Sequence, residues 1–492
     1  METYYEQIFS DLSHGFRPNR GCHTALQEVK RWKGTVWFIE GDIKGCFDNI
    51  DHDVLLSILA ENVRDLRLQK LIGQMLKAGV IQKWVYHQTY SGTPQGGVIS
   101  PLLSNIILNK LDQFVEREII PQYKKGKKRK RNPKYTKVSN DIRKAKKEGN
   151  RELVKELTRQ LRQLSSIDPF DSNYCRVWYV RYADDFLLGI IGSKQTAIEI
   201  KQKIGEFLLQ ELKLEMSEQK TLITHARSEK VKFLGYDIFT AWENNRITKA
   251  KDGKRKRSVN GKVQLCVPYE VIQEWSHKFK GPHGKTIHRA SLINHSDLEI
   301  INIYQAEFQG LVNYYEMAYN VSDLYQVKHH YQESLVKTLA TKHKTSVNNI
   351  YTKYKTRTEH GVVAIEATIP NPNKPGKVYR ATFGGNPIRY KRYTTINDLK
   401  PNVYKYYGRN ELGRRLIKQL CEIEGCNSSD RIQGHHVNSV KELKKKYKGK
   451  NNAPAWAIFM MTRNRKTIFV CHKHHQEITH GRYDGPKIIG KH

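Results

Sequence analysis

The distribution of apolar positions along the chain divides it into stretches of different period. From Val36 to Ile43 the sequence reads VWFIEGDI, rich enough in β-branched and aromatic residues to predict a strand, and from Val54 to Leu59 the pattern turns helical. Asp42 is therefore expected at a strand end. A second such stretch, Arg176 to Ile191, has two apolar runs flanking Ala183-Asp184-Asp185, the signature of a hairpin whose turn presents both acids. Between the two, Ser100 to Glu118 carries apolar residues at helical spacing after Pro101, and Ile198 to Leu214 reads as another amphipathic helix. This alternation predicts a mixed α/β plan. Beyond Tyr236 the texture changes to a basic loop or hairpin, Lys249 to Lys262, and then a helical domain. There Ile300, Tyr304, Phe308, Leu311, Tyr315 and Ala318 recur at steps of three and four. A core stripe is the first explanation for those aromatics, with base stacking left for any that are exposed. Residues 360–415 are short apolar runs broken by Pro and Gly, and a block with its own Cys/His chemistry follows from about Arg414.

Charge adds a partner to this picture. The 492 residues suggest about three domains. Eighty-five Lys and Arg against 49 Asp and Glu leave +36, spread along the chain. So large an excess implies a polyanion, with affinity dominated by counterion release from phosphates. Residues 124–137 hold nine Lys or Arg and no acid, and Asn140 to Leu164 reads as one highly charged helix. Together, 121–170 look like an insertion, for which a solvated face and an RNA-gripping arm both remain open. Four of the seven cysteines (Cys22, Cys46, Cys175, Cys266) are scattered singly, which argues against a disulfide scaffold. No apolar stretch is long enough to span a membrane, and residues 1–30 lack the apolar core of a signal peptide.

Nucleotidyl transfer needs two divalent ions held by converging carboxylates, and magnesium prefers hard oxygen ligands. Asp42 and the Asp184-Asp185 pair have the placement for it. A lone acid pair in a turn is common, but here it falls in an ordered series: HGFRPNRGCHTAL (His14 to Leu26), FIEGDIKGCFDNI (Phe38 to Ile50), TPQGGVISPLLSNIIL (Thr93 to Leu108), RYADDF (Arg181 to Phe186), Lys220-Thr221 and FLGYDI (Phe233 to Ile238). The series resembles the reverse transcriptases of group II introns over roughly residues 5–240. The resemblance implies a right-hand polymerase palm, with Asp42 and Asp184 as principal magnesium ligands and Asp185 assisting. It further implies Phe47 as a steric gate at the sugar 2′-position, Gln95 and Gly96 in a loop over the incoming nucleotide, Lys220 near a phosphate, and Gly235 beside the primer. The chain begins shortly before GFRPNR, so fingers lacking their first strand pair, and weakened nucleotide binding, are expected.

YQAEFQGLVNYYEMAYN (Tyr304 to Asn320) and SLVKTLATKHKTSVNNIYTKY (Ser334 to Tyr354) resemble the α-helical thumb, or maturase domain, of the same proteins. Lys337, Lys342, Lys344, Lys353 and Lys355 beside the apolar stripe suit backbone contacts to folded RNA. The resemblance implies that this surface stabilises the intron's self-splicing form.

Toward the C-terminus, Cys421 and Cys426 are separated by four residues, and Cys471 and His474 by two, about fifty positions later. Two such pairs predict a structural, tetrahedral Zn²⁺ site able to fold a small module. Around it, His435-His436, His475 and His480 resemble HNH endonucleases with a treble-clef frame. The resemblance implies His435 and His475 as ligands of a catalytic divalent metal and His436 as general base. The closing ligand falls at His480, one residue beyond the usual spacing, with Thr479 in its place; one residue turns a helical side chain by about 100°. Asn438 and Asn464 are further candidates for that metal. The expected domains are 1–240 fingers and palm, 241–360 thumb/maturase, 361–413 linker or DNA-binding region, and 414–492 HNH nuclease. The expected partners are group II intron RNA, target DNA and deoxynucleoside triphosphates, with no membrane and with homodimer formation left open. The compartment is bacterial cytoplasm or an organelle. A catalytically idle splicing cofactor and a standalone HNH nuclease are the competing readings.

Overall fold

A computed structural model describes residues 1–77, 80–82, 85–87, 91–93, 97–168, 171–243, 246–249, 253, 255–257, 259–359, 361–370, 378–394, 420–423, 425–436, 446–447, 453–462, 467–480 and 482. The chain forms two compact units, 1–398 and 399–492.

In the first unit a four-stranded antiparallel sheet runs in the order Arg176–Tyr182, Asp185–Ile191, Trp37–Gly41, Leu222–His225. Successive side chains of a strand point to opposite faces, so a sheet covered on both sides needs continuous apolar strands. Phe38 and Leu187 accordingly enter one core with Val29 and Trp32, whereas Ile39 and Leu188 enter another with Leu103, Ile107, Ile200 and Leu208. The second core is closed by helices Ser100–Phe114 and Lys194–Leu212, which meet through stacked Phe114 and Phe207 rings 4.2 Å apart. The hairpin expected at 176–191 is present, with only Ala183 and Asp184 between its strands.

The charged stretch expected as one helix from Asn140 to Leu164 is instead two, Pro133–Lys147 and Arg151–Gln163. The break follows from local chemistry: the Asn150 side chain accepts from the Leu153 amide at 3.0 Å, capping a new helix at the cost of continuing the old one.

A smaller antiparallel sheet (Lys262–Cys266, Tyr236–Ala241, Val231–Phe233) leads into helices Tyr269–His277, Asp297–Tyr315, Leu324–Lys342 and Val347–Tyr354. Ser296 and Glu299 form a reciprocal capping box at the start of the long helix. The predicted stripe is core throughout: Ile300, Tyr304, Phe308, Leu311, Tyr315 and Ala318 are all buried. Of the two explanations for those aromatics, burial is the one the fold uses. The described part of 361–394 supplies strand Val363–Pro370, which pairs with Lys355–Arg357 on one side and with strand Val378–Phe383 on the other. Ile365 and Phe383 are fully buried in the same core as Tyr304 and Tyr331, so these short apolar runs are structural parts of the thumb region.

The second unit has an antiparallel pair, Gln433–His436 with Thr467–Val470, and helices Ala455–Thr462 and His472–Thr479. Its core is a handful of residues around Ile423, Trp456, Met460, Ile468 and Ile478, joined by Cys421 and Cys471. Among the described residues no helix is long and apolar enough to cross a membrane.

Candidate active sites

The palm sheet brings together acids that lie far apart in sequence. Gly41 pairs with Phe186 at the end of the central ladder, so the next residues outward are Asp42 on one strand and Asp185 on the other. Asp184 occupies the adjoining turn. A cavity of about 380 Å³ opens here, lined by Glu40, Asp42, Asp185, Lys220, Lys230 and Lys232 among others. Lys220 Nζ lies 3.0 Å from Asp42 Oδ2.

The electrostatics of the cluster suit a cation. Burial, then the charges of Asp184 and Asp42, push the Asp185 carboxyl up to about 6. Burial and then Asp185 push Glu40 up to about 7, and burial with Asp42 raises Asp184. Several partly buried carboxylates, with Lys220 the lysine that reaches Asp42, make a site of hard oxygen donors, the chemistry that magnesium prefers and softer metals do not select.

The turn is held from behind by residues that sequence reasoning did not single out. Ala183 sits at φ 54°, a left-handed conformation costing a non-glycine residue roughly 1–2 kcal/mol. The Arg181 guanidinium donates to the Ala183 carbonyl at 2.7 Å, to Asn105 at 3.1 Å, to Ser13 Oγ at 2.8 Å and to both oxygens of Asp112. Both partners of the Arg181–Asp112 pair are completely buried. Burial alone would depress the guanidinium; Asp112 more than reverses it. Gly15 packs so closely that a β-carbon there would lie 2.3 Å from the Ala183 nitrogen. This explains why the HGFRPN stretch must approach with glycine. The sequence signal was present, in Arg181 two residues before the turn and Asp112 on the SPLLSNIIL helix, but nothing local links them.

The remaining expected palm residues divide. Phe47 is half-buried on the short helix after Asp42, with its ring edge-on to exposed Phe16 at 6.1 Å. Its carbonyl accepts from the Thr93 amide at 2.6 Å, anchoring the segment before Gln95 and Gly96, which themselves lie outside the described residues. Leu234 and Gly235 (φ 47° and 69°) form the two-residue turn of a hairpin, where positive φ at both positions matches strand twist. Tyr314 and Tyr315 donate to the Leu234 and Gly235 carbonyls at 2.8 and 3.0 Å, pinning this turn to the thumb helix. Of the thumb lysines, Lys337 and Lys342 are engaged internally with Glu333 and Asp297, whereas Lys344, Lys353 and Lys355 are exposed.

In the second unit Cys421, Cys426, Cys471 and His474 converge, with their ligand atoms all within 4.8 Å of one another. His474 Nδ1 lies 3.4 Å from Cys421 Sγ and 3.2 Å from Cys471 Sγ. Around tetrahedral zinc, neighbouring S and N ligands would be about 3.5 Å apart, so the donors fit that ion. Burial pushes the Cys421 thiol up to about 12 when no cation is present. A metal reverses that preference by binding the thiolate. Cys471 caps the helix His472–Thr479, which places His474 in its first turn.

The histidines of the nuclease motif gather around the same strand and helix. His435 and His475 rings are 5.5 Å apart, and Trp456 stands 5.3 Å from His435. His436 follows on the strand, paired in register with Thr467. His480 ends the helix, exposed, and among the described residues it is not gathered with His435 and His475 into a three-ligand group. His472, which sequence reasoning missed, reaches Gln433 on the strand at 3.4 Å. Asn438 and Asn464 lie outside the described residues.

Comparison with known proteins accords with this geometry. Family models match at residues 1–145 (reverse transcriptase, RNA-dependent DNA polymerase), 271–374 (type II intron maturase) and 421–475 (AI2M/AI1M-like, HNH endonuclease). The group II intron-encoded protein LtrA of Lactococcus lactis subsp. cremoris is 38% identical over 98% of this chain and 80% of its own length. The putative COX1/OXI3 intron 2 protein of Saccharomyces cerevisiae is 30% identical over 99% of this chain and 56% of its own. The uncharacterized mitochondrial protein ymf11 of Marchantia polymorpha is 33% identical over 45% of this chain and 29% of its own. The chain belongs to the group II intron-encoded proteins, reverse transcriptases and maturases that also carry an HNH endonuclease domain.

Proposed function

We propose that Asp42, Asp184 and Asp185 are the magnesium ligands of the polymerase, within a fingers and palm domain spanning 1–240. The observation that carries this is the convergence of Asp42 and Asp185 at the end of adjacent paired strands. Two bound Mg²⁺ would supply activation of a primer 3′-oxygen and charge neutralisation on the triphosphate. The chain's own residues do the rest. Asp42 and Asp184 would hold the ions with Asp185 assisting, and Lys220 would release Asp42 to meet a phosphate. Phe47, braced by Phe16, blocks a ribose 2′-hydroxyl; Gln95 and Gly96 cover the incoming deoxynucleotide; the Gly235 turn, pinned by Tyr314 and Tyr315, lies along the primer. Replacing Asp42 or Asp184 by Asn should lower magnesium-dependent primer extension on a homopolymer template about a thousandfold while RNA binding persists. Extension near the wild-type rate after either change would reject the assignment.

The thumb, 241–360, with the sheet that follows it, presents Lys344, Lys353 and Lys355 to the host group II intron RNA. In 414–492, Zn²⁺ on Cys421, Cys426, Cys471 and His474 is structural. His435 and His475 are the paired ligands of a nuclease metal, and His436 is the general base that nicks target DNA; His480 joins that metal only if the helix end rearranges. Unchanged nicking by His436→Ala would remove this assignment. The compartment is the bacterial cytoplasm or an organelle, matching the bacterial and mitochondrial relatives.

A further inference from the structure

At the foot of the 121–170 insertion, on the far end of the palm sheet strands from the acid turn, a cavity of about 830 Å³ is lined by seven Lys or Arg and by no carboxylate. Lys33, Arg129, Arg227 and Lys262 are among them, together with Tyr174 and Trp242. The cavity is built, since its walls are tied by backbone hydrogen bonds: Lys125 with Cys175 in both directions at 3.2 Å, Asn132 to Ser166 at 3.2 Å, and Gly34 to Gly261 at 2.7 Å. Arg176 secures the loop further by donating to the Lys125 and Gly126 carbonyls at 2.6 and 2.7 Å.

Two guanidiniums in it, those of Arg129 and Arg227, each have a buried nitrogen, Nε, without a hydrogen-bond partner among the described residues. Burial disfavours both charges, and Arg129 adds to the cost at Arg227. Asp171 and Asp168 act on the Arg129 charge, but neither lines this cavity; Asp171 lines the adjoining one, where its carboxylate accepts from the Lys130 and Asn173 amides at 2.8 and 3.1 Å. Two half-buried cations lining a cavity that holds no carboxylate carry a desolvation cost that an anionic ligand would offset. Each is also laid against an aromatic ring: Arg227 lies 4.0 Å from the ring centre of Trp242, which is 40% exposed, and Arg129 lies 5.4 Å from that of Tyr174.

We propose that this cavity binds one unstacked nucleotide of an RNA, its phosphate between Arg129 and Arg227 and its base against Trp242. Guanidiniums match phosphate geometry, and aromatic faces beside arginines accept splayed single-stranded bases. The volume suits a nucleotide, and a stacked duplex has none to offer. The insertion is then a clamp that recognises an extruded base, in addition to any general attraction its charge supplies. The proposal rests on the protein's RNA-binding role, and the test separates the two.

The full chain is irradiated with an oligouridylate carrying 4-thiouridine, and crosslinked peptides are mapped by mass spectrometry. In parallel, affinity is measured for wild type, R129Q/R227Q, W242A and, as a charge-matched control, K144Q/K147Q, with thermal unfolding confirming that each is folded. Crosslinks at Trp242 or Tyr174, lost in R129Q/R227Q, are expected. So is a drop of about tenfold or more for W242A and for the double arginine variant, with the control losing only about twofold, and with duplex RNA unaffected by W242A. Binding that persists with crosslinks only elsewhere, or equal losses for the arginine and lysine pairs, would overturn the pocket while leaving RNA binding intact. No RNA binding by wild type would overturn both.

Discussion

The two catalytic regions are organised in opposite ways. In the palm, the acids sit on a sheet buried on both faces, and the turn that presents them is fixed by a fully buried Arg181–Asp112 pair, by Asn105 and by the close approach of Gly15. The scaffold comes first, and the cluster of raised carboxyls is what the scaffold holds ready. In the C-terminal unit, two of the four converging ligands, Cys421 and Cys471, are themselves core residues of a very small cluster. There the ligands are a large part of the scaffold. Metal removal should therefore empty the palm site but dismantle the other.

The largest effect expected is on the small unit. Cys471→Ala, or chelation of zinc, should unfold it, since structural zinc contributes about 10 kcal/mol or more to modules of this kind. Protease should then cut C-terminal to residue 399 while the rest of the chain resists; a still-resistant C-terminal unit would break the contrast.

Next is catalysis in the palm. Asp184→Asn should lower primer extension about a thousandfold, equivalent to about 4 kcal/mol of transition-state stabilisation, without lowering the melting temperature. A third change addresses the scaffold itself. Asp112→Asn leaves Arg181 buried and uncompensated, which should destabilise the first unit by about 3–5 kcal/mol and disturb the turn at Ala183. A melting temperature unaltered by this change would show that the network is not what fixes the turn.

The smallest effect is a pH dependence. Asp185 and Glu40 have carboxyls raised on folding, to about 6 and about 7, so the native state holds protons that the unfolded chain has lost. Without magnesium, their contribution to stability therefore falls as pH rises from about 4 through 7. Glu40→Gln and Asp185→Asn should each flatten that slope in thermal melts, and saturating magnesium should do the same in the wild type. An unchanged slope in both variants would assign the pH dependence to other groups.

The same contrast explains what the sequence could reveal. Asp42, Asp184 and the four members of the Cys/His cluster stand in short contiguous motifs, so the sequence alone names them as candidates and the fold brings the Cys/His set together. The Arg181–Asp112 contact spans 69 positions, and no local pattern announces it. The charged stretch 140–164 reads as one helix from its composition, but Gly149-Asn150 supplies the asparagine cap that starts a second. Strands Val363–Pro370 and Val378–Phe383 give no local sign of their place in the thumb core, because burial of Ile365 and Phe383 depends on partners near residue 304. His472 has no place in the motif that the neighbouring histidines resemble, and its contact with Gln433 spans 39 positions.

The most direct test of this account is to strip zinc from the purified full chain, restore magnesium, and measure primer extension and DNA nicking on the same sample. Release of one zinc per chain, loss of nicking and extension retained within about twofold are predicted. Extension lost in step with nicking would contradict a palm whose geometry is held by its own buried network.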